Sequence, residues 1–173
     1  SILAITFTNK AAREMAERLA DLVGPVADQI TVQTFHALGA TLLRRWGDRL
    51  GLDANFAILN EDERMWLLRQ TMPELSEREV DRYAGAISAA KNRLLRPADL
   101  TMGSSPPTPE LAAVFARYDA ALRANQAVDF DDLVALPAQL LEQHPDVLDA
   151  LHARYRWLSV DEYQDVNLAQ VRL

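Results

Sequence analysis

Residues 157–165 read Trp-Leu-Ser-Val-Asp-Glu-Tyr-Gln-Asp, a short apolar run that ends in two adjacent acids. The run predicts a strand, Trp157 to Val160, that presents Asp161 and Glu162 at its carboxyl end. Nucleotide hydrolases place acids at such a point, where one carboxylate holds magnesium, often through water, and a second orients the attacking water. A simpler alternative is that both acids only start the next helix, where the helix dipole favours negative charge.

The amino-terminal residues alternate between strand and helix. Ile2 to Thr6 is an apolar run typical of a buried strand, and Ile30 to Thr34 is rich in β-branched residues. Helical spacing follows each run, over Ala11 to Val23 and about Phe35 to Trp46. This alternation predicts an α/β fold with a parallel sheet.

Both of these strand-to-helix junctions carry side chains that suit a nucleic acid. Free amides at a helix start, together with the small polar side chains Thr8 and Asn9, can hold a phosphate, and Phe7 could stack on a base. Thr34-Phe35-His36 repeats the arrangement, with His36 biased towards its neutral form by the helix dipole. The alternative assigns Thr8 to a helix cap, Phe7 to the core and His36 to a structural role.

The middle of the chain has a different character. From Gly51 to about Gln126 the pattern predicts helices and loops without a convincing strand. The expected helices are Glu61–Thr71, Glu77–Arg93 and Glu110–Asn125, the first two opened by capping boxes, with a loop-rich stretch from Pro97 to Pro109. Two more helices, about Phe130–Gln143 and Asp146–Tyr155, lead back to the last strand. The sequence therefore predicts an α/β layer interrupted by a helical insertion.

Two groups of residues resemble metal sites without predicting one. Asp129-Phe130-Asp131-Asp132 places three acids in a short run, but acids at a helix start are more simply a cap stabilised by the dipole. The three histidines, His36, His144 and His152, show no ligand spacing, so a zinc site is not expected.

Composition bounds the function classes. The 173 residues include no cysteine, which excludes disulfides and thiolate chemistry and suits a reducing cytoplasm. No apolar run reaches the roughly 20 residues of a membrane-spanning helix. The net charge of −7, from 18 basic and 25 acidic residues, argues against nucleic-acid binding when taken alone. No Gly-x-x-x-x-Gly-Lys-[Ser/Thr] loop occurs, so these residues lack a phosphate cradle.

Four segments in order resemble motifs of the UvrD/Rep/PcrA-type superfamily 1 DNA helicases. Ile5 to Met15 is similar to motif Ia, and Thr34 to Ala37 to the next DNA-contacting motif. Val128 to Leu133 resembles the segment that re-enters the motor domain, and Val160 to Asn167 resembles motif II, the Walker B box. The four matches span essentially the whole chain.

The resemblance implies a role for each matching residue. Asp161 would hold Mg²⁺ in the ATP complex and Glu162 would activate water, while Gln164 and Asp165 would belong to the nucleotide site and couple it to neighbouring motifs. DNA contacts would come from Phe7, Thr8 and Asn9 and from Thr34, Phe35 and His36.

The resemblance also implies a domain plan. Residues 1–50 would be the first part of a RecA-like P-loop NTPase domain (domain 1A), residues 51–126 an all-helical insertion (subdomain 1B), and residues 127–173 the return to domain 1A. The parent would be a cytoplasmic, ATP-dependent 3′-to-5′ DNA helicase of repair or replication, acting on single strands and single–double-strand junctions, with no membrane partner.

We expect the 173 residues to be a fragment of the longer motor, inactive in ATP hydrolysis alone because they lack the phosphate loop. Without the neighbouring strand, the sheet should expose an apolar edge or self-associate. The alternatives are a non-catalytic DNA- or protein-binding module on the same scaffold, and, among helicases, a helicase–nuclease subunit of the RecB or AddA kind.

Overall fold

The computed structural model describes residues 1–101 and 109–173. Its strands are β1 (Ile2–Thr6), β2 (Ile30–Thr34), β3 (Ala57–Ile58), β4 (Ala127–Val128) and β5 (Trp157–Val160). Its α-helices are α1 (Asn9–Val23), α2 (Phe35–Trp46), α3 (Glu61–Thr71), α4 (Glu77–Asn92), α5 (Pro109–Ala124), α6 (Asp132–Gln143), α7 (Pro145–Arg154) and α8 (Leu168–Arg172). Short 3₁₀ helices occupy Gly24–Gln29, Gly47–Leu50, Asp99–Thr101 and Tyr163–Asp165.

The main sheet has three parallel strands in the order β2-β1-β5. Ile2 pairs with Ile30 on one side and with Trp157 on the other, and the register continues to Thr6 with Thr34 and Ile5 with Val160. The parallel α/β class predicted from the sequence is confirmed. All three strands therefore end at one edge of the sheet, although the last comes from the far end of the chain.

Side-chain caps begin most of the helices. Thr8 and Thr34 accept from the backbone N–H of Ala11 and Ala37, which starts α1 and α2 directly at the strand ends. Asn60 and Ser76 form capping boxes with the residues three positions on, as the sequence predicted for α3 and α4. Capped starts fix where each helix leaves its strand or loop, and so position the edge of the sheet.

The apolar core is divided among packed clusters. The largest is built by α3, α4 and α5, with Leu68, Ile87 and Tyr118 at its centre. A second lies under the main sheet and includes Ile5 and Leu42, together with Ala169 of α8. The buried charged side chains meet where the segment after β4 contacts α3 and α4: Arg64, Lys91, Asp129 and Asp132.

The segment from Gly51 to Gln126 differs from expectation in one feature. Ala57 and Ile58 form β3, which pairs in parallel with Ala127 and Val128. Two extended segments that lie side by side satisfy their backbone groups by pairing, and a two-residue strand is too short to leave a periodic pattern. The predicted loop over Pro97 to Pro109 falls partly on residues 102–108, which lie outside the described residues.

Strand β5 forms an edge of the main sheet and carries exposed apolar side chains. Trp157 is 72% exposed and Leu158 is 65% exposed. Large apolar side chains on an edge strand are typical of a surface that pairs with another element. Self-association through this edge stays a prediction. Within the described ranges, none of the helices is long and apolar enough to cross a membrane.

Candidate functional site

The candidate site lies at the carboxyl edge of the main sheet. Thr6 and Thr34 are register partners at the ends of β1 and β2, and the backbone N–H of Asp161 donates to the carbonyl oxygen of Ile5 at 2.9 Å. The three segments that follow the strands, residues 7–9, 34–36 and 161–165, therefore leave the sheet at one edge. In open α/β sheets this edge is where ligands bind.

A tight turn presents the two acids. Glu162 adopts a left-handed backbone conformation with φ 50° and ψ 43°, which is uncommon for a residue with a side chain. Its N–H donates to Asp161 Oδ1 at 3.1 Å, its carbonyl oxygen accepts from the N–H of Asp165, and its carboxylate accepts from the Gln164 amide. Strained backbone of this kind is concentrated at functional sites.

The chemistry of this turn suits magnesium bound to a nucleotide. Asp161, Glu162 and Asp165 are exposed and offer hard carboxylate oxygens. Among residues 1–101 and 109–173, no three His, Cys, Asp or Glu side chains converge into a metal cage. One or two carboxylates without a cage are what Mg²⁺ uses when water and phosphate supply its other ligands.

The threonines at the two junctions differ in exposure. Thr8 is exposed, and Asn9 and Lys10 beside it are exposed as well, so this junction presents polar side chains and helix-start amides to solvent. Thr34 is only 5% exposed, because its hydroxyl is held inside as the cap of α2. A contact from Thr34 to a ligand would therefore involve the backbone at this position.

The two phenylalanines predicted to contact DNA pack against each other. The rings of Phe7 and Phe35 meet edge to face with centroids 5.6 Å apart. Phe35 is 4% exposed and lies in the core, whereas Phe7 is half-buried. Phe35 therefore packs against Phe7 from within the core, and Phe7 is the more accessible of the two side chains.

A second aromatic pair lies at the start of α2. The His36 and Phe130 rings are tilted by 31° with centroids 4.2 Å apart, and Phe130 is 58% exposed. Burial lowers the pKa of His36, although the nearby Asp131 carboxylate opposes this shift. The sequence placed Phe130 inside a helix, whereas α6 begins two residues later, so its pairing with His36 was not predicted.

Lys91, Asp129 and Asp132 form a buried ionic centre. Lys91 Nζ lies 2.8 Å from Asp129 Oδ2 and 2.8 Å from Asp132 Oδ1, and all three side chains are nearly excluded from solvent. Asp129 also accepts from the Tyr118 hydroxyl at 3.0 Å, and Arg64 Nε lies 3.8 Å from its carboxylate. Side chains of α3, α4, α5 and α6 and of the segment after β4 thus meet at one point.

Charge compensation decides the protonation of this centre. Burial alone would lower the pKa of the Lys91 ammonium, but the carboxylates of Asp132, Asp129 and Asp119 raise it above its ordinary value. Burial raises the pKa of Asp132 to about 6; the negative charge of Asp129 adds to this rise, and Lys91 opposes it. Lys91 of α4 is therefore a permanent cation that holds two acids, Asp129 after β4 and Asp132 at the start of α6.

The sequence explained these acids only in part. Asp129 Oδ1 does accept from the N–H of Asp132 at 2.9 Å, which is the capping role predicted for the run. Its main partner is Lys91, 38 residues earlier, a pairing that was not predicted from the sequence. One feature of the sequence could have revealed that Lys91 is buried: it falls on the apolar face of α4, together with Tyr83, Ala84 and Ile87.

Comparison with known proteins gives a family match over the whole chain. Residues 1–173 match the family described as UvrD/REP helicase N-terminal domain.

Individual relatives agree with this match. The chain is 39% identical over 178 residues to ATP-dependent DNA helicase PcrA of Bacillus subtilis (strain 168), with 100% of this chain covered. It is 44% identical over 176 residues to ATP-dependent DNA helicase PcrA of Leuconostoc citreum, with 98% covered. The PcrA of Staphylococcus aureus (strain Mu50 / ATCC 700699) is 39% identical over 178 residues, with 100% of this chain covered. The chain spans 24%, 23% and 24% of these three proteins, about a quarter of their length.

Proposed function

Because the chain belongs to the UvrD/REP helicase family, we propose that it forms part of the motor of an ATP-dependent DNA helicase. The observation that carries the proposal is the shared edge of the sheet. The acids of residues 161–165 and the polar and aromatic residues of the two other junctions leave parallel strands side by side. A motor needs this proximity, because hydrolysis at one group of residues has to change the contacts made by the other.

In the nucleotide site, Asp161 would hold Mg²⁺ with ATP, and bound Mg²⁺ would supply charge neutralisation at the phosphates. Glu162 orients the attacking water and accepts its proton. The Gln164 amide, which donates to the Glu162 carboxylate, fixes the direction of that carboxylate. Asp165 closes the same turn through its backbone N–H and contributes to the nucleotide site.

The DNA surface is built from uncharged groups. Phe7 and the Phe130–His36 pair offer ring faces to bases, and Thr8 and Asn9 offer hydroxyl, amide and backbone groups to phosphates. A net charge of −7 is compatible with this site, because stacking and neutral hydrogen bonds supply the contacts. Single strands and single–double-strand junctions are the substrates we propose, with translocation from 3′ to 5′.

The domain plan belongs to the same proposal. Residues 1–50 and 127–173 would form part of RecA-like domain 1A, and residues 51–126 the inserted subdomain 1B. The cluster centred on Leu68, Ile87 and Tyr118 supports a separately packed insertion. We place the protein in the cytoplasm, in DNA repair or replication, where ATP and DNA occur together.

The test is substitution of the proposed base in the full-length protein that carries residues 1–173. Glu162→Gln should leave ATP binding within about twofold and lower DNA-stimulated turnover by at least about a hundredfold, the scale of general-base catalysis. Glu17→Gln, on the exposed face of α1, is the control and should turn over normally.

Two results would contradict the proposal. Normal turnover in Glu162→Gln would exclude Glu162 as the base. A full-length wild-type protein that binds DNA without hydrolysing ATP would favour the non-catalytic binding module instead. Residues 1–173 alone should not hydrolyse ATP under either interpretation, because they contain no phosphate-binding loop.

A further inference from the structure

Four polar side chains outside the proposed site form a continuous hydrogen-bonded chain. The Ser88 hydroxyl donates to the Asp131 carboxylate, and Asn92 Nδ2 donates to the same carboxylate at 3.1 Å. Asn167 Nδ2 then donates to Asn92 Oδ1 at 2.6 Å. We call Ser88, Asp131, Asn92 and Asn167 the polar chain; all four residues are half-buried.

One end of the polar chain adjoins the nucleotide site. Asn167 caps α8 by accepting from the N–H of Gln170 at 3.0 Å, while the Gln170 side chain accepts from the N–H of Asn167. Only Val166 separates Asn167 from Asp165, the last residue of the turn that holds the acids. Asn167 therefore fixes where the acidic turn ends and α8 begins.

The other end adjoins the DNA surface. Asp131 follows Phe130 directly in the chain, and the Phe130 ring lies against His36 at 4.2 Å. With its carboxylate held by Ser88 and Asn92, Asp131 has a fixed backbone position relative to α4. A shift of Asp131 would therefore displace Phe130 from His36.

Asn92 connects the two ends and has the chemistry that this position requires. Its amide donates to Asp131 and accepts from Asn167 at the same time, which a carboxylate or an ammonium cannot do. It is the last residue of α4 and follows Lys91, which the ionic centre anchors. Asn92 thus joins both halves of the site to a rigid point on the insertion.

We propose that Asn92 is a positioning residue that couples the nucleotide site to the DNA surface through Asn167 and Asp131. The inference rests on the proposed function and extends it to a residue of the inserted segment. When the acidic turn changes position during the ATP cycle, Asn167 transfers the change to Asn92, and Asp131 transfers it to Phe130. The DNA dependence of ATP hydrolysis therefore needs the Asn92 amide.

The test compares two asparagine substitutions in the full-length protein. Asn92→Ala removes the two hydrogen bonds that Asn92 makes to Asp131 and Asn167, and one local bond from Nδ2 to the Ser88 carbonyl at 2.8 Å. Asn125→Ala is the control, because Asn125 Nδ2 makes the same local bond to the Ala121 carbonyl at 2.8 Å and is exposed. ATP hydrolysis is measured with and without single-stranded DNA, together with KM for ATP and Kd for the DNA.

Asn92→Ala should lower the DNA-stimulated kcat about fivefold or more, the effect of losing one to two net hydrogen bonds. Its DNA-independent rate, its KM for ATP and its Kd for DNA should stay within about twofold, and Asn125→Ala should match the wild type. Equal loss of the stimulated and basal rates would indicate a purely structural role and would overturn the inference. Unchanged stimulation would overturn it as well.

A second variant covers the case in which Asn92→Ala does not fold. Asn167→Asp keeps the oxygen that caps α8 but replaces the amide that donates to Asn92. It should reproduce the selective loss of stimulation, and normal stimulation would overturn the inference. A wild-type protein without DNA-stimulated hydrolysis would instead overturn the proposed function, and the inference with it.

Discussion

Gly39 of α2 lies directly against the backbone of Leu133 in α6. A Cβ atom placed on Gly39 would come within 1.6 Å of the Leu133 carbonyl oxygen. The two helices are therefore in backbone contact, and any side chain at residue 39 would force them apart. His36 lies at the start of α2 and Phe130 lies just before α6, so this helix contact sets the distance between the His36 and Phe130 rings.

Gly39→Ala should lower the free energy of unfolding by about 2 kcal/mol or more, because the methyl group meets backbone atoms that cannot rotate away. Gly85→Ala is the matched control. Gly85 is an exposed residue of α4 with nothing within 4 Å of its Cβ position. There the same change should stabilise by up to about 1 kcal/mol through helix propensity. Chemical denaturation measures both, and equal effects would show that α2 and α6 are not in contact.

Lys91→Met should lower the free energy of unfolding by about 3–5 kcal/mol, because Asp129 and Asp132 would remain buried without their counter-ion. Lys10→Met is the control, since Lys10 is the other lysine of the chain and its side chain is 86% exposed beside Glu14. Its pair should contribute less than about 1 kcal/mol. Denaturation curves at neutral pH would compare the two. A small effect at Lys91 would mean that water reaches the ionic centre.

The pH dependence of stability should depend on His36. Its folded-state pKa is lowered by burial, so the folded protein binds fewer protons than the unfolded chain below neutral pH. The stability that the folded protein has with neutral His36 is present at pH values above the unfolded-state pKa of about 6.5. It is lost as the pH falls below that value. Wild type should therefore lose stability relative to His36→Gln between pH 7 and pH 5.

Thermal denaturation across that pH range checks the His36 prediction. His152→Gln, on the exposed surface of α7, is the matched control and should follow the wild-type profile. Parallel profiles for wild type and His36→Gln would contradict the prediction, because they would show that folding does not lower the pKa of His36.

The left-handed backbone of Glu162 gives a prediction about stability. Glu162→Gly should be more stable than Glu162→Ala by about 1 kcal/mol, because glycine adopts φ 50° without steric cost. At Glu17, within α1, the order should reverse by a similar amount, since glycine is the poorer helix former. Unfolding free energies of the four variants test the geometry of the acidic turn. Alanine as the more stable residue at both positions would contradict it.

Much of the fold was predictable from local pattern. The strands Ile2–Thr6, Ile30–Thr34 and Trp157–Val160 were predicted with their observed bounds, because buried apolar runs and β-branched residues identify short strands. Helices that begin with a capping box were also placed correctly, as at Glu61–Thr71. Strand β3 was not predicted, because its pairing partner lies about 70 residues away and two residues carry no period.

The candidate site, too, was only partly predictable from the sequence. The order of the motifs and the residue types at the strand ends are properties of the sequence, and they identified the two acids and the two strand-to-helix junctions as candidate site residues. They could not show that Phe35 is buried against Phe7, that Thr34 is buried, or that Phe130 lies against His36, because burial and ring contacts depend on how distant segments pack.

The chemical groups of this protein and their positions along its strands can be read from short segments of the chain, since local propensity and motif spacing are encoded within them. Which of those groups meet depends on how distant segments pack. Lys91 compensates Asp129 across a separation of 38 residues, and Asn92 joins Asp131 to Asn167 across separations of 39 and 75 residues. Such partners are selected by the parallel sheet and the packing of α4 against α6 and α8, which bring distant residues within hydrogen-bond distance.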